Sequence, residues 1–247
     1  MRRLGLILAM MMAASTVQAD GLTDMTDAER EAFRAEVRAY LIENPDVIVE
    51  AMDTLQQRED ADAAKRDIEL LQTNAPALFN SPSDWVGGNP SGDITVVEFM
   101  DYRCSYCRKA HDEVNTLVTS DGNIRYVVKE YPILGPESLA SSQFAIAVRM
   151  LYGDDAYKAT HNALIKLRGE ANLQTLERLA TELGHDPKAV LAKMESPDVM
   201  AVIETNHALA EVMEISGTPT FIVDKTMVRG YVPLDGMRKI VEGQRAG

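Results

Sequence analysis

The stretch Val96-Val97-Glu98-Phe99-Met100-Asp101-Tyr102-Arg103-Cys104-Ser105-Tyr106-Cys107 decides the reading of this chain. Its first half belongs to a run, Ile94 to Met100, with the content of a buried strand. Its second half opens a segment in which Cys107, Ala110, Val114 and Leu117 recur at spacings of three and four, as on a helix with one apolar face. A strand feeding a helix places Cys104 at the helix start, where unpaired N–H groups and the macrodipole favour a thiolate. Cys107 lies on nearly the same side but inside the apolar stripe. Periodicity therefore predicts an exposed, attacking sulfur at Cys104 and a buried, resolving sulfur at Cys107. Thiols at i and i+3 on a first helical turn bridge with little backbone movement. Free cysteine titrates near ~8.5, and such surroundings can lower it to roughly 3.5–7.5. Arg103, Arg108 and Lys109 add positive charge nearby.

These are the chain's two cysteines, and a chain of 247 residues does not need a disulfide staple. In an oxidising compartment the pair suggests redox work. An inert disulfide constrains little over so short a loop. A zinc site needs about four ligands, and the four histidines (His111, His161, His185, His207) are scattered. No resident cofactor is expected beyond the redox-active disulfide Cys104–Cys107, and no metal. A binding module stays open as an alternative: a peptide holdase, or a copper carrier with both thiolates on Cu(I). The chain has 13 methionines, but Met1, Met10, Met11 and Met12 lie in the first 19 residues and most others fall on helical apolar faces.

Two further positions carry chemistry. Glu98 alternates with Ile94, Val96 and Met100 on one strand face. A carboxylate desolvated there has a raised pKa and can carry a proton for Cys107; the competing reading is an edge-facing glutamate or one in a salt bridge, with Lys129 as a candidate partner. Ser216-Gly217-Thr218-Pro219-Thr220-Phe221 opens another strand, and pattern alone makes Pro219 trans.

Working outward, Arg2 and Arg3 precede an apolar run, Leu4 to Ala14, and a Val17-Gln18-Ala19 end. This reads as a secretory signal over 1–19, with a retained anchor as the competing reading. Its removal takes the formal charge from −13 to −15, which disfavours nucleic acid and anionic membrane surfaces. Residues 20–79 read as a charged helical extension interrupted at Asn44-Pro45, either packed on the body or serving as an oligomerisation arm. A Pro/Gly/Ser/Asn-rich connection from 80 to 93 follows. The remainder divides into an α/β first part over 80–136, a helical insertion over 137–197 and an α/β second part over 198–247. Asp186-Pro187 and Ser196-Pro197 mark helix starts in the helical block.

With these residues in hand, the chain resembles the DsbA-like branch of the thioredoxin superfamily, most of all the periplasmic group that includes Com1-like and ScsC-type proteins. The resemblance rests on Val96 through Cys107 and on Gly217-Thr218-Pro219-Thr220-Phe221, and covers residues 84 to 245. It implies an α/β thioredoxin fold with an inserted all-helical domain and an N-terminal helical extension. It also implies a cis Pro219 against the cysteine pair, Thr218 backbone groups that bind an extended substrate, and Glu98 as the family's buried acid. The implied activity is thiol–disulfide exchange with secreted or periplasmic proteins, with a membrane partner to reset the pair. The dipeptide Ser105-Tyr106 lacks the histidine that oxidising DsbA proteins commonly carry there, so oxidase and isomerase directions both stay open. About 150 mV, or roughly 7 kcal/mol for two electrons, separates the thioredoxin and DsbA extremes.

Overall fold

The structure is a computed structural model that describes residues 25–246; the expected signal, 1–19, lies outside the described residues. The chain divides into two compact units, one through Asp60 and one from Ala61. In the first, α1 (Asp27–Glu43) starts at a capping box. The Glu29 amide donates to Thr26 Oγ1 at 3.3 Å and the Thr26 amide to Glu29 Oε2 at 2.8 Å, an arrangement worth about 1 kcal/mol. Asn44 ends the helix with its amide on Tyr40 O at 2.8 Å. No side chain of α1 is buried, and Phe33, Val37, Tyr40 and Ile42 are exposed. The next helix, α2 (Asp46–Thr73), runs unbroken through the polar stretch 56–67.

In the second unit, the end of α2 buries Leu71, and α3 (Ala75–Phe79) buries Leu78. Five strands follow: β1 (Trp85–Gly88), β2 (Ile94–Met100), β3 (Ile124–Glu130), β4 (Thr220–Val223) and β5 (Thr226–Arg229). They form one sheet in the order β1-β3-β2-β4-β5. Only β2 and β3 pair in parallel, and parallel neighbours need a crossover. It is supplied by α4 (Ser105–Asp121), which ends at Gly122, φ 74°, where a left-handed residue closes the last turn on Val118 O.

The β1 strand corrects the reading of 80–93 as a connection. Two of its four residues are glycine, so it shows neither alternation nor a β-branched run; its pairing comes from β3, with Trp85 opposite Val128. Trp85 stacks on Tyr157 at 5.5 Å and donates its indole N–H to Asp154 O at 3.1 Å.

Each face of β2 packs a separate core. Val96 and Met100 meet Cys107, Val114 and Leu117 of α4 and Met237 of α10 (Leu234–Ala246). Val97 and Phe99 meet Leu71, Leu78, Met213 and Ile222 on the other side. Burial of each such side chain is worth about 1.5–3 kcal/mol. Between β3 and β4 lie five helices: α5 (Pro136–Tyr152), α6 (Asp154–Lys166), α7 (Leu173–Glu182), α8 (Pro187–Met194) and α9 (Pro197–Val212). Asp186 caps α8 by accepting from the Lys188 amide at 3.0 Å. The expected α/β sheet with a helical insertion and an N-terminal helical extension is therefore present.

Candidate functional site

Cys104 is the N-cap of α4, with φ −70° and ψ 120°, and its Sγ accepts from the Cys107 amide at 3.4 Å. The sulfur thus caps the helix, meeting one of the amides that the first turn leaves unpaired. Its pKa is lowered to about 5, chiefly by hydrogen bonding from the Cys107 thiol, against the opposing effect of burial. The Thr218 side chain and the Cys107 and Tyr106 amides add to the lowering. Cys107 is pushed in the opposite direction by the same thiol contact and by burial, so the shared proton stays on the inner sulfur.

Cys107 is buried as expected, but the expectation of an exposed sulfur at Cys104 is corrected, because Cys104 is buried too. It is 6% exposed and Cys107 1%. The cover comes from the segment before β4, where Thr218 O lies 3.1 Å from Cys104 Sγ and accepts its proton while it is a thiol. That segment is 114 residues away in sequence, outside the reach of periodicity. The Thr218–Pro219 peptide is cis, and the Gly230 amide donates to Pro219 O at 2.9 Å.

The neighbouring cations divide. Arg108 lies close enough for the Cys104 charge to bear on its own ionisation, and it donates to Tyr102 O at 2.8 Å. Arg103 instead pairs with Glu137 at 3.1 Å and donates to Gly169 O at 2.6 Å. Lys109 sits 4.2 Å over the Tyr231 ring. Ser105 is exposed. Tyr106 is 58% exposed and stacked against Tyr231 at 6.2 Å.

Glu98 is buried on the cysteine side of β2, where the Tyr126 hydroxyl donates to its Oε2. Burial raises its pKa to about 7; the Tyr126 hydrogen bond opposes the rise, and the charges of Cys104 and Glu130 add to it. The alternative pairing with Lys129 fails on register. Lys129 stands opposite Phe99, on the other face, and pairs with Asp84 at 2.5 Å while donating to Ala77 O at 2.6 Å.

Besides Asp84, the partner of Lys129, sequence reasoning missed two buried acids. Asp101, fully buried, accepts four hydrogen bonds: from the Arg103 amide at 2.7 Å, Ser138 Oγ at 2.8 Å, and the Ile133 and Leu134 amides at 2.8 and 3.0 Å. It fastens the approach to Cys104 onto the loop leading into α5. Only the contact to Arg103, a two-residue Asx turn, is legible in sequence. Glu130 accepts from Tyr157 at 2.5 Å, Ser142 at 2.7 Å and Tyr102 at 2.8 Å, and burial raises its pKa to about 7. Nearby, His161 is held neutral, with its pKa lowered to about 3 by burial, and its ring lies 5.3 Å from that of His111. Among the described residues no group of three or more His, Cys, Asp or Glu side chains is arranged to hold a metal.

A family model described as Thioredoxin matches residues 80–243, and one described as the N-terminal domain of the copper resistance protein ScsC matches residues 29–61. A thioredoxin-like oxidoreductase from Silicibacter pomeroyi DSS-3, solved as a crystal structure, is 41% identical, covering 70% of this chain and 98% of that one at a TM-score of 0.66. Disulfide bond formation protein D of Bacillus subtilis is 20% identical over 70% of this chain and 80% of that protein. The Na(+)/H(+) antiporter NhaA of Herminiimonas arsenicoxydans is 28% identical over 66% of this chain, which spans only 26% of the antiporter's length. Among the described residues no helix is long and apolar enough to cross a membrane.

Proposed function

We propose that this chain, which belongs to the thioredoxin family, acts in that family's DsbA-like and ScsC-like branch and exchanges disulfides with secreted or periplasmic proteins through Cys104 and Cys107. One observation carries the reading: a sulfur of lowered pKa caps a helix beside the Thr218–Pro219 segment, with a second, protonated sulfur buried one turn behind it. In the reducing or isomerising direction, Cys104 thiolate attacks a substrate disulfide and expels one substrate sulfur as thiolate. Cys107 then loses its proton, attacks Cys104 Sγ and releases the second substrate sulfur, leaving the pair oxidised. In the oxidising direction a substrate thiolate attacks Cys104 of the disulfide, and Cys107 leaves and takes up a proton. Thr218 and Pro219 are the proposed docking edge for an extended substrate.

A Cys104 pKa of about 5 lies between roughly 7 for thioredoxin and roughly 3.5 for DsbA. A stabilised thiolate favours the reduced form, so the disulfide should oxidise more strongly than thioredoxin's. Equilibration with glutathione tests this: a potential near about −120 mV makes the protein an oxidase reset by a membrane partner, whereas one near about −270 mV means the pair acts only when kept reduced. Turnover of scrambled substrate undiminished in Cys104→Ser would reject the enzyme reading altogether.

The isomerase direction draws support from the exposed Phe33, Val37, Ile48, Met52 and Leu55 of the first unit, an apolar surface suited to a second copy of the chain. Light scattering on the protein with and without residues 20–60 tests this, because a monomer in both cases rejects the oligomerisation arm. A copper role would rest on the two thiols, since residues 29–61 contain no cysteine or histidine. Cu(I) competition titration of Cys104→Ser measures it.

A further inference from the structure

Glu98 has one hydrogen-bond donor among the described residues, the hydroxyl of Tyr126. Tyr126 stands opposite Val96 in the parallel β2–β3 register and reaches the carboxylate two residues further along. Its ring is fixed, buried and edge-on to Trp85 at 6.0 Å. The titratable groups facing Glu98 are Tyr126 and Glu130 from β3, and Cys104 and Cys107 from the start of α4. From β4 the neighbour in register is Phe221, and α10 contributes the apolar Met237 and Val241 to the same core. No cation is among them, so the charge on Glu98 depends on a phenol.

We infer that Tyr126 is a positioning residue for proton transfer at Cys107: its hydroxyl holds the Glu98 carboxylate ionised and oriented when the mixed disulfide is resolved. The inference rests on the thiol–disulfide reading above. The step balances as follows. The Cys107 thiol gives its proton to Glu98, and the resulting thiolate attacks Cys104 Sγ. The bond from Cys104 to the substrate sulfur breaks, and that sulfur leaves as a thiolate, protonated by water. The substrate disulfide has then gained two electrons and the cysteine pair has lost them. Glu98 returns its proton to Cys107 when the pair is next reduced.

The test is single-turnover release of a chromophoric aromatic thiolate from a mixed disulfide at Cys104, followed against pH. Only ionised Glu98 accepts the proton, so release in the wild type rises through an inflection that lies below the pH of about 7 at which Glu98 titrates in the reduced protein, because Cys104 carries no charge in the mixed disulfide. Tyr126→Phe keeps the ring and removes the donor. Hydrogen bonds to ionised groups are the strong ones, and their loss moves the inflection up by about one pH unit, a tenfold change in proton affinity. A fluorinated tyrosine at position 126, a stronger donor, moves it down, and Glu98→Gln abolishes it. The infrared band of the protonated Glu98 carboxyl follows the same shifts. A purely structural Tyr126 would lower thermal stability and leave the inflection in place, as would its fluorinated form. An unmoved inflection in both variants overturns this inference alone, whereas thiolate release that persists undiminished in Cys107→Ala overturns the underlying function.

Discussion

Replacing Cys107 with alanine should raise the pKa of Cys104, and the structure sets the size of the change. The largest cause of the depression to about 5 is the hydrogen bond from the Cys107 thiol. The variant deletes that donor but retains the Cys107 amide, 3.4 Å from the sulfur, and the helix start itself. A hydrogen bond to an ionised group contributes about 1.5–3 kcal/mol, which is about 1–2 pH units. The Cys104 pKa should therefore reach about 6–7, and the thiolate fraction at pH 6 should fall from about 90% to about 10–50%. Ultraviolet absorbance of the thiolate, checked by the pH dependence of iodoacetamide alkylation, reads this directly because Cys104 is then the only thiol. An inflection within a few tenths of the wild-type value would show that the helix start, rather than the partner thiol, holds the charge.

Stability of the reduced protein should depend on pH through the same sulfur. The folded pKa lies below the ordinary cysteine value, so the contribution is absent below about pH 5, grows between pH 5 and 9, and is fully present above the unfolded pKa. At pH 7 it should be about 3 kcal/mol, and reduced-minus-oxidised melting curves at pH 5 and pH 8 should differ in that sense; a pH-independent difference would contradict the assignment. Asp101→Ala should cost about 3–5 kcal/mol, since it leaves the Arg103, Ile133 and Leu134 amides and the Ser138 hydroxyl without their acceptor. A fall of less than about 1 kcal/mol in urea unfolding would mean that water replaces the carboxylate.

The parts of the fold that sequence revealed are those made by local periodicity. The apolar run of β2, the stripe on α4 and the Asp186-Pro187 start of α8 each declare themselves within a dozen residues. Glu98 was legible for the same reason, because alternation along β2 puts it on the face shared with Val96 and Met100. Features assembled from distant segments were not. The Thr218 carbonyl that covers Cys104 and the Ile133, Leu134 and Ser138 donors of Asp101 come from other parts of the chain. The tyrosines that satisfy Glu130 lie 27 and 28 residues from it, on opposite sides in sequence. The β1 strand escaped because its conformation is imposed by β3 rather than by Gly87 and Gly88.

The central claim, that the outer sulfur attacks and the inner one resolves, is tested most directly by trapping. Cys107→Ala and Cys104→Ala, each with a single thiol, are incubated with an unfolded protein carrying a disulfide, and the covalent adducts are weighed by mass spectrometry. The account predicts rapid accumulation of a mixed disulfide at Cys104 in the first variant and little in the second. Equal rates in the two variants, or faster capture by Cys107, would contradict it.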